Sequence, residues 1–343
     1  MAHEIETINN KASFFCVKDP AWHNLVKPLP DAPSIQDAME LAGLNWTVSL
    51  HDLYRLGELD PVTNQPAFIK AKTRMVVRDT DGRRLGEVGK GYKPLQNAEA
   101  FDFFNPFIAS GEVKLESGGC LFNGERIFIL GKLSKDVSVI VPGDSVKKYV
   151  LLANGHDGLM AVYAGFTPIR TVCWNTLSMA FTNKKSALIR VRHSASVVEN
   201  LEKVREIMNL ANEQFEATAE QYRFLASKKI NKEDLKKYIK IVFKTKEREE
   251  DEEEVVAKSS EEEAKMDSRL IENKIMPLYE AGYGATIPGV AGTLWGAYNA
   301  VSNFLQWNRG RTLDGRLDSV WFGQSKGVLN NALNIATTMA KSL

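Results

Sequence analysis

The stretch FIKAKTRMVVRDTDGRRLGEVGKGY, residues 68–92, decides the fold of the first half of the chain. From Phe68 to Arg78 basic and apolar side chains alternate, and a turn containing Asp81-Gly82 follows. Alternation of period two is typical of strands, and a glycine in a turn adopts positive φ at little cost. The stretch therefore predicts an antiparallel β-hairpin whose second arm is Leu85–Tyr92.

Further hairpins and helices surround this stretch up to residue 190. The pattern of apolar residues and caps predicts a helix over Ser34–Leu44 and then a helix with Asn97 as its N-cap. Strands are predicted over Gly111–Glu116 and Cys120–Leu133, the latter pairing through a turn at Asn123-Gly124, and a hairpin is predicted for Lys147–Asn154 with Leu159–Phe166. The segment Thr171–Phe181 is strand or helix, with helix favoured. We therefore expect an N-terminal arm (1–20) and an α+β domain of antiparallel hairpins with packed helices (21–190).

From residue 191 to 343 the spacing of apolar residues is typical of helices. Val197–Phe224 and Lys232–Phe243 carry apolar residues at intervals of three and four, which indicates amphipathic helices. Three later segments are also predicted to be helices: Asp267–Tyr279, Thr293–Trp307 and Lys326–Lys341. Residues 244–265 form an acidic low-complexity segment, for which we expect an exposed loop or a solvated helix extension.

Composition places the chain among ordinary folded proteins, with 44% hydrophobic and 25% charged residues and a net charge of +1 over 343 residues. The near-zero charge hides two blocks of opposite sign. Glu247–Glu263 holds ten acidic and two basic residues, and Arg223–Lys246 holds nine Lys or Arg against two acids. Glu247–Glu263 thus has a net charge of −8, and the rest of the chain, at +9, is moderately basic.

Several classes of protein are disfavoured by residues that the sequence lacks. Its three cysteines include no CxxC pair, which argues against a disulfide framework or a thiolate zinc site and favours a reducing, cytoplasmic location. The uncharged run 281–308 is broken by five glycines and Pro288, so a membrane span is not expected. The glycines of residues 86–91 do not have phosphate-loop spacing. We predict no metal, no cofactor and no catalysis.

The basic hairpin is the strongest candidate for binding. Lys70, Lys72 and Arg74 share one parity, so we expect them on one exposed strand face, which either is solvated or follows a phosphate backbone. The glycines of residues 86–91 make either a bulge or a close approach to phosphate. The candidate phosphate contacts beyond this face are Arg78, Arg83, Arg84, Lys90 and Lys93, and the candidate stacking aromatics are Phe68 and Tyr92.

The pair His156-Asp157 has three readings. A carboxylate beside an imidazole suits general acid–base chemistry, but neighbouring residues in Asn154–Gly158 more readily form a turn held by side-chain to backbone hydrogen bonds, and a ligand contact is the third reading. Cys173, beside Trp174, is either a small core residue or a nucleophile, with the core favoured.

Six motifs also match a known pattern. They are Trp22-His23, GEVGKGYKPLQN (86–97), NGHDG (154–158), FTPIRTVCWNTL (166–177), WGAYNA (295–300) and WFG (321–323). Through these motifs the chain resembles, over 22–340, the phage/plasmid-like proteins of domain of unknown function 932. It departs from that pattern at Trp174, where glutamine is frequent, and at Asn24, where glycine commonly follows the Trp-His pair.

What the resemblance implies is a protein of phages, plasmids or other mobile elements, with no reaction or catalytic residue to carry over. Motif residues of unknown role are Trp22, His23, Gln96, Asn97, His156 and Asp157. We expect a binder of single-stranded nucleic acid, proposed to be DNA, that assists annealing or recombination and forms a homo-oligomer. In this reading Arg170 and Asn175 orient bases or neighbouring strands. The alternative is a protein-interaction module acting on a host protein, with Glu247–Glu263 as docking tail or nucleic-acid mimic.

Overall fold

The computed structural model describes residues 5–8, 11–18, 25–170, 188–209, 212–247, 271–309 and 319–343. The strands are β1 Thr7–Ile8, β2 Lys11–Ala12, β3 Phe14–Cys16, β4 Val48–Leu59, β5 Pro66–Arg78, β6 Arg84–Val88, β7 Val113–Leu121, β8 Arg126–Val141, β9 Asp144–Gly155, β10 Val162–Arg170 and β11 Leu188–Val191. The first six helices are α1 Ile35–Leu41, α2 Asn97–Asp102, α3 Asn105–Ala109, α4 Val197–Asn209, α5 Asn212–Ser227 and α6 Lys232–Glu247. Further helices are Met276–Ala281, Leu294–Asn303 and Gln324–Ser342, with π-helical turns at Ile271–Ile275 and Phe304–Asn308.

Six strands form the main sheet, in the order β11-β10-β9-β8-β7-β3, and each neighbouring pair is antiparallel. The turn between β7 and β8 uses Asn123 (φ 55°) and Gly124 (φ 99°), as the sequence predicts. Every residue of β9 from Lys148 to Gly155 is buried, so both faces of the sheet are covered there. The predicted hairpin of β9 with β10 is confirmed.

The N-terminal arm adds one edge to this sheet. Strand β3 pairs with β7, and Phe14 and Phe15 are both 2% exposed. These residues therefore belong to the hydrophobic core.

A second sheet has three strands in the order β4-β5-β6. The hairpin of β5 with β6 is the one that the sequence predicts, and Gly82 takes φ 69° in its turn. The twelve-residue strand β4 is not anticipated by the sequence. Its side chains are mostly exposed, so it lacks the alternation of buried and exposed residues that marks a strand.

The helical region and the main sheet share one hydrophobic core. Helix α5 packs on β8, and α4 packs on β10 and β11. Trp295, fully buried in helix Leu294–Asn303, donates from Nε1 to Asp144 Oδ2 at 2.8 Å. The predicted domain boundary at residue 190 falls inside β11.

One local prediction needs correction, and two segments cannot be compared. The helix after Pro94 begins after Gln96 instead of Asn97, because Gln96 and Glu99 form a capping box that leaves the Asn97 side chain to turn inward. Segment 171–181 and most of the acidic segment 244–265 lie outside the described residues. Among the helices in the described ranges, none has the length and apolarity that crossing a bilayer needs.

Candidate functional site

A two-stranded ribbon extends from the second sheet. We define the ribbon as residues 54–70, where β4 pairs only with β5, because β6 pairs no further along β5 than Arg74. The apolar side chains of the ribbon are unusually exposed. Their exposed fractions are Tyr54 55%, Leu56 65%, Leu59 58%, Val62 90%, Phe68 72% and Ile69 40%.

One face of the ribbon combines aromatic and cationic side chains. Tyr54 is the direct cross-strand partner of Lys70, and Leu56 is the partner of Phe68. Directly opposite residues of an antiparallel pair point to the same face, so these four side chains form one surface. Phe68 is therefore not packed inward, whereas Tyr92 donates its hydroxyl to the Gly155 carbonyl at 3.1 Å.

Toward the base of β5 the predicted basic face turns inward. Lys70 and Lys72 are exposed, Arg74 is half-buried and its Nη2 donates to the Lys90 carbonyl at 2.8 Å. Further along the same strand, Arg78 is 2% exposed and binds Glu6 and Asp81 through Nη1 and Nη2, at 2.8 and 2.6 Å. The period-two strip is thus exposed only at its ribbon end.

Acidic partners engage several of the predicted phosphate contacts. Those ion pairs are Lys70 with Asp52, Arg83 with Asp81 at 3.7 Å and Arg84 with Glu87 at 3.7 Å. The hydrogen bond with Asp52 raises the pKa of Lys70. Arg84 lies opposite Val77, seven residues along β5 from Lys70, which is about 23 Å in an extended strand. The structure therefore places Lys90 and Lys93, both exposed, nearer the ribbon than Arg83 and Arg84.

The second feature is a group of polar side chains that we call the polar junction: the half-buried Gln96 and the buried Asn97, Asn154, His156 and Asp157. It brings two of the sequence motifs together. Asn97 Nδ2 donates to the carbonyls of Leu44 and Trp46 at 3.1 and 3.3 Å. Its Oδ1, 3.0 Å from His156 Nε2, must then accept, so Nε2 carries the imidazole proton.

Both ends of the junction bind backbone as well. Gln96 is bonded to the N–H and the carbonyl of Val48, each at 3.0 Å, and so holds the start of β4. Asp157 Oδ1 accepts from the N–H groups of Leu159 and Met160 at 2.8 and 3.0 Å, and Oδ2 accepts from Arg126 Nε at 3.0 Å. The turn reading of this motif is confirmed. The carboxylate and the imidazole engage different partners.

Burial controls the protonation of the junction. His156 is fully buried, and this burial, followed by the nearby His193, lowers its pKa to about 3. Burial also lowers the pKa of His193, whose ring lies 4.6 Å from that of Tyr92. Both imidazoles are thus neutral at physiological pH. In the described part of the chain, His, Cys, Asp and Glu side chains form no group of three suited to a metal ion.

The glycine cluster serves the protein's own packing. A Cβ at Gly86 would lie 2.2 Å from the Asp157 carbonyl oxygen, and the pairing of β5 with β6 is irregular beside it, between Val76 and Val77. Of the two interpretations of these glycines, Gly86 fits the bulge, at a point where the protein's own backbone approaches closely. Gly89 and Gly91 have open space around them.

Two residues next to the polar junction, Trp46 and His193, could not be predicted from the sequence. The Trp46 ring lies 5.2 Å from the His156 ring, with the Arg78 guanidinium 5.3 Å from its centre. His193 follows β11 and reaches the junction from a distant part of the chain. Isolated Trp and His residues show no diagnostic spacing, so only an alignment of homologues or a structure finds them.

Some predicted site residues cannot be placed. Trp22, His23, Cys173 and Asn175 lie outside the described residues, and Arg170 is described only as the last residue of β10, opposite Val146. The polar junction thus comprises four of the six motif residues of unknown role.

Comparison with known proteins agrees with the motifs. The family model described as Domain of unknown function (DUF932) matches residues 84–321, which includes the polar junction and excludes the ribbon and Trp22-His23. No curated protein and no solved structure matches the chain. Because the family model covers more than half of its length, the chain belongs to the family of domain of unknown function 932.

Proposed function

We propose that the protein binds single-stranded nucleic acid, without catalysis, through the face of the ribbon. The observation that carries this proposal is the placement of Tyr54 and Phe68, 55% and 72% exposed, beside Lys70 on one face. Sequence-independent binders of single strands stack bases on aromatic rings and neutralise phosphates with nearby cations. The face of the ribbon has both kinds of group.

The cations available for phosphate are those near the ribbon. Lys72 is exposed, as are Lys90 and Lys93, which follow β6. Arg55 is exposed on the other face of the ribbon. Lys70 would exchange its carboxylate partner for a phosphate, so its net contribution is expected to be smaller.

The first test removes an aromatic ring. Phe68→Ala should weaken binding to a fluorescent single-stranded oligonucleotide by about 1–3 kcal/mol, the usual contribution of one base stack. Tyr283→Ala is the matched control, since Tyr283 is 68% exposed and lies outside the ribbon. Equal affinities for Phe68→Ala and wild type would refute the stacking face.

The second test measures salt dependence. Lys72→Glu should weaken binding and reduce the slope of log K against log salt by about 0.7 for each phosphate that the variant no longer neutralises. Lys203→Glu, an exposed charge reversal on α4, is the control. A gel-shift titration against single-stranded and duplex DNA at two salt concentrations separates strand preference from general charge attraction. A salt-independent affinity would contradict phosphate binding.

Annealing and assembly are the finer part of the proposal. We suggest that copies associate through the helical region after residue 191 and present several ribbons, in the cytoplasm of a bacterial host that carries a mobile element. Sedimentation analysis with and without oligonucleotide tests assembly, and the pairing rate of two complementary strands tests annealing. If the protein is a monomer and does not accelerate pairing, the assembly and annealing parts of the proposal are wrong, and only the binding of single strands remains.

One observation favours the rival, a protein-interaction module. Lys70, Arg83 and Arg84 have acidic partners, and Leu56 is 65% exposed, which suits an apolar partner surface better than a phosphate backbone. Neutralising the acids of Glu247–Glu263 by Glu→Gln substitution distinguishes the two. Masking of the basic surface predicts tighter nucleic-acid binding at low salt that disappears at high salt. Unchanged nucleic-acid affinity with loss of a host-protein complex would support the rival.

A further inference from the structure

The tip of the ribbon is a rigid turn. Asp60 Oδ1 accepts from the N–H groups of Val62 and Thr63, both at 2.8 Å, and the Asp60 carbonyl accepts from Asn64 N–H at 2.8 Å. Asp60 N–H donates to the Gln65 carbonyl at 2.9 Å, and Asn64 takes φ 53°. These four bonds hold the turn in one shape before any partner arrives.

An apolar side chain stands at this tip. Val62 is 90% exposed, the highest value among the large hydrophobic residues that the structure describes, and Leu59 at the end of β4 is 58% exposed. Turn tips ordinarily carry polar residues, so a preorganised tip with exposed apolar side chains has surface that a partner can cover. Behind it along the ribbon lie the cation Lys70 and the ring of Phe68.

We propose that Val62 and Leu59 form a wedge that enters between bases where a single strand meets a duplex. This inference rests on the proposed function, in which Phe68 and its neighbours hold the single strand. Proteins that open base steps insert apolar side chains between them while nearby cations contact the phosphates. The ribbon places these groups in that order from tip to base.

The amount of apolar surface favours a base step over a lipid bilayer. Val62 and Leu59 together have roughly seven side-chain carbons, and even a myristoyl chain, with about twice as many, gives only marginal membrane binding. A base step needs only one inserted side chain. The ligand that fits is therefore a nucleic acid with a junction between single and double strands.

The experiment uses a forked duplex with 2-aminopurine in the first base pair beside a single-stranded tail. Saturating wild-type protein should increase the 2-aminopurine fluorescence, because insertion of the wedge unstacks that base. Val62→Ser should lose this increase while its affinity for the single-stranded tail stays unchanged, and Val62→Ile should retain it. Val139→Ser, a matched change at a residue 56% exposed on β8, should behave as wild type.

Four outcomes would overturn the wedge. An equal increase for Val62→Ser and wild type, or binding to the tail without any increase, refutes it and leaves the proposed function standing. Absence of binding to the single-stranded tail refutes the proposed function and the wedge with it. Val62-dependent sedimentation with phosphatidylserine vesicles, without a fluorescence change on the fork, would assign the tip to membranes instead.

Discussion

The ribbon and the polar junction differ in how their side chains are used. In the ribbon, Tyr54, Leu56 and Phe68 are more than half exposed. In the junction, Asn97, Asn154 and His156 are fully buried, and neighbouring groups bind them. The family model covers the junction and stops short of the ribbon.

The difference teaches that the family's motifs and the most exposed apolar surface need not coincide. Through Gln96 and Asn97 the junction ties the base of the second sheet to the main sheet, so its composition serves architecture. The ribbon projects from that base and has surface to offer a partner. Substitutions in the junction should therefore affect stability, and substitutions in the ribbon should affect binding.

The largest loss of stability is expected for Arg78→Met. It leaves Glu6, 3% exposed, without its cationic partner, and removal of one member of a buried ion pair costs about 3–5 kcal/mol. Arg84→Met, whose side chain is 65% exposed, should cost less than about 1 kcal/mol. Urea denaturation measures both. Equal urea midpoints for the two variants would show that the buried Arg78 stabilises the protein no more than the exposed Arg84 does.

Asn97→Ala comes next. It strands the carbonyls of Leu44 and Trp46 and the N–H of His156 inside the protein, at a combined cost of about 3 kcal/mol or more. The matched control is Asn105→Ala, which removes one exposed hydrogen bond to Asp102. A stability loss no greater than that of the control would show that the junction does not hold the sheets together.

Gly86→Ala should cost about 1–3 kcal/mol, because the new methyl group meets the Asp157 backbone and the two sheets must move apart. Gly89→Ala meets open space and should be close to neutral. Thermal unfolding compares the two variants. If both are neutral, the packing between the sheets is more compliant than the geometry implies.

The stability of the protein should also decrease as the pH is lowered, because of His156. Its pKa is about 3 in the folded state and about 6.5 when unfolded, so below pH 6.5 the unfolded chain binds the extra proton. Between pH 6.5 and 5 the free energy of unfolding should decrease by about 1.5 kcal/mol from this group. His193 contributes in the same direction.

His156→Gln should flatten this pH dependence, because it removes the imidazole whose pKa burial lowers. Denaturant titrations at several pH values measure the slope. The same slope for His156→Gln and wild type would mean that this imidazole is charged in the folded protein.

The smallest effect on stability is expected in the ribbon. Phe68→Ala removes a ring that is 72% exposed, so the free energy of unfolding should change by no more than about 0.5 kcal/mol. A chemical denaturation curve measured beside the oligonucleotide titration checks this. A large destabilisation would mean that Phe68 stabilises the hairpin itself, and its effect on binding would need a different explanation.

Local patterns predicted much of the architecture. The hairpin of β5 with β6, the turn at Asn123-Gly124 and the hairpin of β9 with β10 follow from alternation and turn residues. The helices after residue 191 follow from apolar spacing. Strand β4 was missed because a strand exposed on both faces shows no alternation.

The sequence determined the local features of the protein, and the tertiary structure determined which side chains are buried and which residues meet. The α+β class, the helical C-terminal region and the family follow from the sequence, because periodicity, turn chemistry and motifs are local properties of the chain. Only the tertiary structure decided that Arg74 and Arg78 turn inward while Phe68 faces solvent, and that His156 meets Asn97. The odd or even position of a residue along a strand tells on which face of the sheet its side chain lies. It does not tell whether that face is buried, because the segments that pack on it are distant in sequence.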